Sequence, residues 1–248
     1  MLDRRHVLAY PTAAARKELV TAMVAGLPEP MRGPAIAHRV KQAFLADAIP
    51  GIVCRPTQAC PEDGGQIGFS FPFRIGEERV RSAVPVCADQ IESYVTPYEV
   101  MERAGASPRV VHPVLIDLRK VAAAAGITLG LIGSAAMQVV TGLDYVRPDS
   151  DLDVLVQAGT AQQLQWFWQE ICDLKVRTGT AIDAEIDMQG RCGVKLSEYM
   201  SDAEVLLAKS ISGVELIDRN KFSDETFSEV SFTETTSSLA TKGVTQWM

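Results

Sequence analysis

Gly133-Ser134-Ala135-Ala136-Met137-Gln138-Val139-Val140-Thr141-Gly142-Leu143-Asp144-Tyr145, followed after a short connection by Ser150-Asp151-Leu152-Asp153-Val154-Leu155-Val156, is the stretch on which the reading of this chain turns. It begins where an apolar run of strand length, Ile127–Ile132, ends. A Gly-Ser pair between a strand and a short helix lets a ligand approach the backbone closely, and the new helix offers free N–H groups and a positive dipole end. Asp151–Val156 then reads as a second strand. Its period of two places both aspartates on one face and turns Leu152 and Val154 inward. Carboxylates that close raise each other's pKa unless a cation sits between them. Such hard oxygen ligands suit Mg²⁺ or Mn²⁺, which fill their remaining positions with water and phosphate oxygen. A bare Asp-x-Asp is more often a solvated strand edge, so its context has to decide.

Working outward, Val114, Leu118, Val121 and Ala125 mark a helix that Gly126 ends, and Thr160 opens another carrying Leu164, Phe167, Trp168, Ile171 and Leu174. In that second helix Trp166 and Trp168 cannot both face the core. Ala181–Met188 alternates as a third strand, with Asp183, Glu185 and Asp187 sharing a face. One of these acids can complete a carboxylate cage with Asp151 and Asp153. Ser201-Asp202-Ala203-Glu204 fits a capping box, but Val205–Asp218 equally fits a hairpin around Ser212-Gly213. Upstream, helices from Thr12 and Pro34 precede short strands at Gly51–Arg55, Gln66–Phe73 and Arg79–Val86. The expectation is an α+β protein. A smaller α+β domain spans 1–108, a mixed sheet with flanking helices spans 109–220, and a segment with 11 Ser or Thr fills 221–248.

The chain has 248 residues, 47% of them hydrophobic and 22% charged, which excludes a disordered or low-complexity polymer. Its net charge of −7 excludes a basic nucleic-acid coat. The charge is uneven: residues 1–110 carry 13 Lys+Arg against 12 Asp+Glu, and residues 111–248 carry 11 against 19. Five cysteines without a CxxC pair, and an N-terminal apolar run too short for a signal peptide, predict free thiols in the cytoplasm. Residues 121–143 hold no charge over 23 positions, but Gly126, Gly130, Gly133 and Gly142 break them up, so no membrane span is expected. His6, His38 and His112 are scattered and read as structural.

Strand-Gly-Ser-helix, then Asp-x-Asp on a strand, then an acid on a third strand resembles the nucleotidyltransferases over residues 127–188. The segment Gln138-x-x-Thr141-Gly142-Leu143-x-Tyr145 between the two polar motifs resembles a narrower family. That family is the malonate decarboxylase holo-acyl-carrier-protein synthase, also called phosphoribosyl-dephospho-CoA transferase. Met137 stands where that family would carry an aromatic residue, and the first 108 residues resemble it through length and the Arg79-x-Arg81 strand.

The resemblance implies a nucleotidyltransferase-like sheet and a definite reaction. Triphosphoribosyl-dephospho-CoA is transferred to a serine of the apo acyl-carrier subunit of malonate decarboxylase, and diphosphate leaves. It implies Asp151, Asp153 and Glu185 as metal ligands for Mg²⁺ or Mn²⁺, with Asp183 as the alternative acid for the metal or the serine proton. Gly133 and Ser134 would hold the triphosphate and Lys209 the diphosphate, while Arg55, Arg79 and Arg81 would offer a docking strip to an acidic carrier. Two competing readings keep the fold. One is an ATP-dependent adenylyltransferase of a small molecule or protein, and the other is a non-catalytic nucleotide-binding module.

Overall fold

The computed structural model describes residues 1–107, 111–220 and 222. The first sheet contains β1 (Leu8–Pro11), β2 (Gly51–Cys54), β3 (Gly64–Ile75), β4 (Glu78–Cys87) and β5 (Ile91–Val95). Their order is β4-β3-β2-β1-β5, with antiparallel pairings throughout. The alternation in β3 buries Phe69, Phe71 and Phe73 on one face. Two helices, α1 (Ala13–Ala25) and α2 (Pro34–Lys41), accompany this sheet. Thr12 caps α1 by accepting a hydrogen bond from the Ala15 N–H at 3.1 Å. Arg16 on α1 is buried and donates to the carbonyls of Pro11, Phe44, Ile49 and Ala48. Those four acceptors satisfy a guanidinium that would otherwise be costly to bury, and they tie α1 to the chain beyond α2.

The second sheet contains β6 (Thr128–Leu131), β7 (Leu152–Gln157), β8 (Ile182–Met188), β9 (Cys192–Lys195), β10 (Val205–Ser210) and β11 (Val214–Asp218), in the order β11-β10-β9-β8-β7-β6. The sheet is mixed: β7 and β8 run parallel and every other pair antiparallel. The parallel pair needs a crossover, which α6 (Ala161–Thr178) supplies. On α6, Trp168 packs against the core and Trp166 is exposed. The other helices here are α3 (Pro97–Ala106), α4 (Leu115–Ala125), α5 (Gly133–Thr141) and α7 (Leu196–Tyr199). Helix α3, just ahead of residue 108, packs on β6 and α5 and places Val100 and Met101 in this second core. Residues 205–218 form the hairpin rather than the capped helix, because alternation buries Leu206 and Ala208 while Val205 and Val214 stay exposed. The expected Ser/Thr-rich segment 221–248 lies outside the described residues, apart from Phe222, whose ring sits 5.6 Å from that of Tyr199.

The segment from Gln138 to Tyr145 joins the two bodies. Gly142, at φ +71, closes α5 in a left-handed conformation that an L side chain resists. Thr141 donates its hydroxyl to the Met137 carbonyl at 2.7 Å and accepts from the Leu143 N–H at 3.2 Å. Gln138 Oε1 accepts from the N–H groups of Tyr145 and Val146 at 3.0 and 2.9 Å. Held in this way, Tyr145 is 1% exposed, and its hydroxyl donates across to the Ser70 carbonyl at 2.8 Å. Arg79 donates to the Tyr145 carbonyl at 2.7 Å and lies 5.2 Å from its ring centroid. Arg79 is therefore drawn into the junction and corrects the expectation that it lines a docking strip, whereas Arg55 and Arg81 are exposed.

Candidate active site

Three elements far apart in sequence meet at one end of the second sheet. The Ile132 N–H donates to the Asp153 carbonyl at 3.2 Å, which sets the next residue, Gly133, directly against Asp153. Gly133 has φ +66, and a Cβ there would fall 2.1 Å from Asp153 Oδ2. Only glycine satisfies both the backbone angle and that approach. Helix α5 starts here, so its free N–H groups face the carboxylate end of β7. The Ser134 hydroxyl is half-buried and has no hydrogen bond among the described residues.

Asp151 is exposed immediately before β7, while Asp153 is in register with Asp183 across the parallel pair. His112, 4% exposed, steadies this end from below: its Nδ1 accepts from the Val114 N–H at 3.4 Å, and its Nε2 donates to the Ser150 carbonyl at 3.3 Å. Burial pushes the Asp153 carboxyl up to about 6, and the charges of Asp151 and Asp183 push the same way against the opposing pull of His6 and Lys195. The site thus carries more negative charge than its own cations balance.

The three acids of β8 have separate fates. Asp183 pairs with Lys195 Nζ at 2.7 Å. Glu185 accepts from Arg5 at 2.7 and 3.3 Å and lies 3.4 Å from His6 Nε2, while Arg5 also donates to the Lys209 carbonyl at 2.8 Å. Asp187 accepts from the Tyr98 hydroxyl, from Gln157 at 3.2 Å and from the Gly190 N–H at 2.8 Å, which leaves it no free role. Glu185, expected as the third metal ligand, is engaged instead by Arg5 and His6 from the N-terminal body. Lys209 is level with Gly193 and Asp187 rather than with Asp153, so it lies farther along the sheet than a partner of the aspartate pair would. Lys195 and Arg5 are the residues that sequence reasoning missed, and His6, read there as structural, reaches the Glu185 carboxylate. Arg5 and His6 gave no signal beyond local charge, and Lys195 lies in the short strand β9, which has no clear pattern.

The Glu185 cluster has a pH signature. Burial alone would raise its carboxyl, but His6 and Arg5 hold it down at about 2. Its contribution to stability is then present above the ordinary glutamate range and lost as pH falls through about 2. Glu185→Gln is expected to lower the stability of the folded protein at pH 7 by on the order of 2–3 kcal/mol. The deficit shrinks between about pH 4 and 2, as the unfolded chain's glutamate protonates. Melting curves across that range check this, and an equal deficit at all pH values would refute it.

Among the described residues no group of three His, Cys, Asp or Glu side chains is gathered for a metal. Asp151 and Asp153 nevertheless fit a small hard cation, which takes one or two carboxylates and completes its shell with water and phosphate. The raised Asp153 carboxyl is what such a pair shows without its cation. Among the described residues no helix is long and apolar enough to cross a membrane.

Comparison with known proteins matches residues 99–220 to the family profile described as phosphoribosyl-dephospho-CoA transferase MdcG C-terminal domain, and residues 4–97 to that of the corresponding N-terminal domain. The chain is 30% identical over 159 residues to a phosphoribosyl-dephospho-CoA transferase of Bradyrhizobium diazoefficiens, covering 64% of this chain and 70% of the relative. It is 29% identical over 184 residues to a protein of the same description from Xanthomonas campestris pv. campestris, covering 72% and 83%. To one from Xanthomonas euvesicatoria pv. vesicatoria it is 27% identical over 186 residues, covering 75% and 86%. No solved structure matches the chain.

Proposed function

Since the chain belongs to the phosphoribosyl-dephospho-CoA transferase family, we propose that its reaction takes place where Gly133, Asp153 and Asp183 meet. The protein is a transferase that moves the triphosphoribosyl-dephospho-CoA-derived group onto an acyl-carrier protein of malonate decarboxylase. The observation that carries the placement is the contact of the Gly133 backbone with the Asp153 carboxylate. It joins a helix N-terminus suited to phosphate and a carboxylate pair suited to a cation in one place.

The serine oxygen of the carrier forms a bond to the α-phosphorus, the bond to the leaving diphosphate breaks, and the serine proton goes to a base. In-line geometry puts the entering and leaving oxygens on opposite sides of the phosphorus. The α5 N-terminus and the Ser134 hydroxyl hold the leaving diphosphate on the β6 side. The serine then enters from the β8 side, where Asp183 is the acid within reach to take the proton. Asp151 and Asp153 would hold Mg²⁺ or Mn²⁺, which would supply neutralisation of phosphoryl charge. His112 keeps the Ser150 turn, and so Asp151, in place. Five free cysteines fit a reducing compartment, and we assign the work to the cytoplasm.

Intact-mass spectrometry of the apo carrier subunit, incubated with enzyme, Mg²⁺ and either the triphosphoribosyl substrate or ATP, tests this. The expected result is addition of the phosphoribosyl-dephospho-CoA group with the first and no change with the second. Addition of AMP would make the protein an adenylyltransferase. No addition with either, alongside intact triphosphate binding, would favour a binding module.

A further inference from the structure

We infer that Lys195 is an exchangeable counter-ion of this site, paired with Asp183 when the site holds no ligand and transferring to phosphoryl oxygens when a cation and a triphosphate bind. The inference rests on the proposed function only for the identity of the triphosphate. Strand β9 pairs antiparallel with β8 and sets Lys195 opposite Glu185, so the lysine rises on the acid-bearing face. Its Nζ lies 2.7 Å from Asp183 Oδ2, and the two side chains are 43% and 44% exposed. A pair so open to water contributes little, so parting it costs little.

The other basic residues of this face are differently placed. Arg5 and His6 are engaged by Glu185. Lys209 lies farther along β10, level with Asp187. Lys195 is thus the cation beside the aspartates whose partner bond is exposed and whose stem can swing. An ammonium on a flexible four-carbon chain follows a phosphate as a point charge, without the fixed fork of a guanidinium. With a divalent cation at Asp153, Asp183 would no longer need the ammonium for charge balance, and Lys195 would turn to the oxygens of the triphosphate.

This exchange makes the two ligands respond in opposite directions. In full-length Lys195→Met, Mn²⁺ alone should bind more tightly by several-fold, because a competing positive charge is gone. Inorganic tripolyphosphate with Mg²⁺ should bind about tenfold more weakly, because a phosphate partner is gone. Lys195→Arg should recover part of the tripolyphosphate affinity. Calorimetry on folded proteins reads both, with melting curves to confirm folding. Changes of the same sign, no change in either, or no binding of tripolyphosphate by the wild type would overturn the inference. If instead the opposite shifts occur but the carrier gains no mass, the exchange stands and the assignment of the reaction fails.

Discussion

Asp153→Asn and Asp151→Asn each leave a folded protein whose transfer to the carrier is slowed on the order of hundreds-fold or more, since each removes a carboxylate needed to hold the charge-neutralising cation. Asp153→Asn has a second, diagnostic effect on the ligand-free protein. Burial and the neighbouring acids hold the folded Asp153 carboxyl up at about 6, above the range of an unfolded aspartate. Its favourable contribution is therefore complete below about pH 4 and lost as pH rises through about 6. At pH 8 the ionised side chain opposes folding, and replacing it with asparagine should stabilise the ligand-free protein by on the order of 1–2 kcal/mol after allowance for solvent screening. The same substitution should have little effect at pH 4. Added Mg²⁺ should raise the melting temperature of the wild type and not that of the variant. Thermal melts at the two pH values, with and without metal, measure this beside a carrier mass assay. A variant that turns over normally, or that is less stable than wild type at pH 8, would remove Asp153 from the proposed role.

Gly133→Val should nearly eliminate binding of the Mg²⁺-triphosphate substrate, while Ser134→Ala should weaken it only in part. Valine at 133 meets two obstacles: a φ of +66, and an Asp153 oxygen 2.1 Å from where its Cβ would stand. Either the aspartate is displaced or the start of α5 is rebuilt, and each outcome separates the helix N–H groups from the carboxylate pair. Ser134→Ala keeps the turn and removes one hydroxyl donor, worth ~1.5–3 kcal/mol if it reaches a charged oxygen. Calorimetric titration, with circular dichroism to confirm folding, separates the two. Wild-type affinity in folded Gly133→Val would show that the phosphate rests elsewhere and that the glycine serves packing alone.

The second sheet was largely legible because its signals are local. The apolar run before Gly133, the alternation through Asp151–Val156 and the spacing on α6 each follow from period and capping within a few residues. Gly126 and Gly142 do adopt the left-handed angles that helix ends call for. Less of the first sheet was visible. Strand β1 has only four residues, and it forms because β2 and β5 flank it on either side, a relation between residues far apart in sequence. Strand β9 is hidden for the same reason. The site divides along the same line. That Asp151 and Asp153 share a face follows from the strand period. Which acid of β8 faces the pair depends on register, and which acids remain free depends on partners such as Arg5 and Tyr98 that lie 180 and 89 residues away. Where Lys209 sits depends on strand pairing in the same way, and the pairing of β9 with β8 puts Lys195 nearer the aspartates.

Tyr145, closed off from water between the two sheets, also bears on how the molecule comes apart. Its hydroxyl bond to Ser70, its carbonyl bond to Arg79, and the packing of Leu8 and Val95 from the first sheet into the second core leave no dry boundary along which the bodies can separate. Loss of the first body would open the second interior to water and release the turn that leads to Asp151. Heat or denaturant should then dismantle both bodies in one cooperative step. A piece cut near residue 108 would lose Leu8 and Val95 from its core, together with the partners that hold Tyr145.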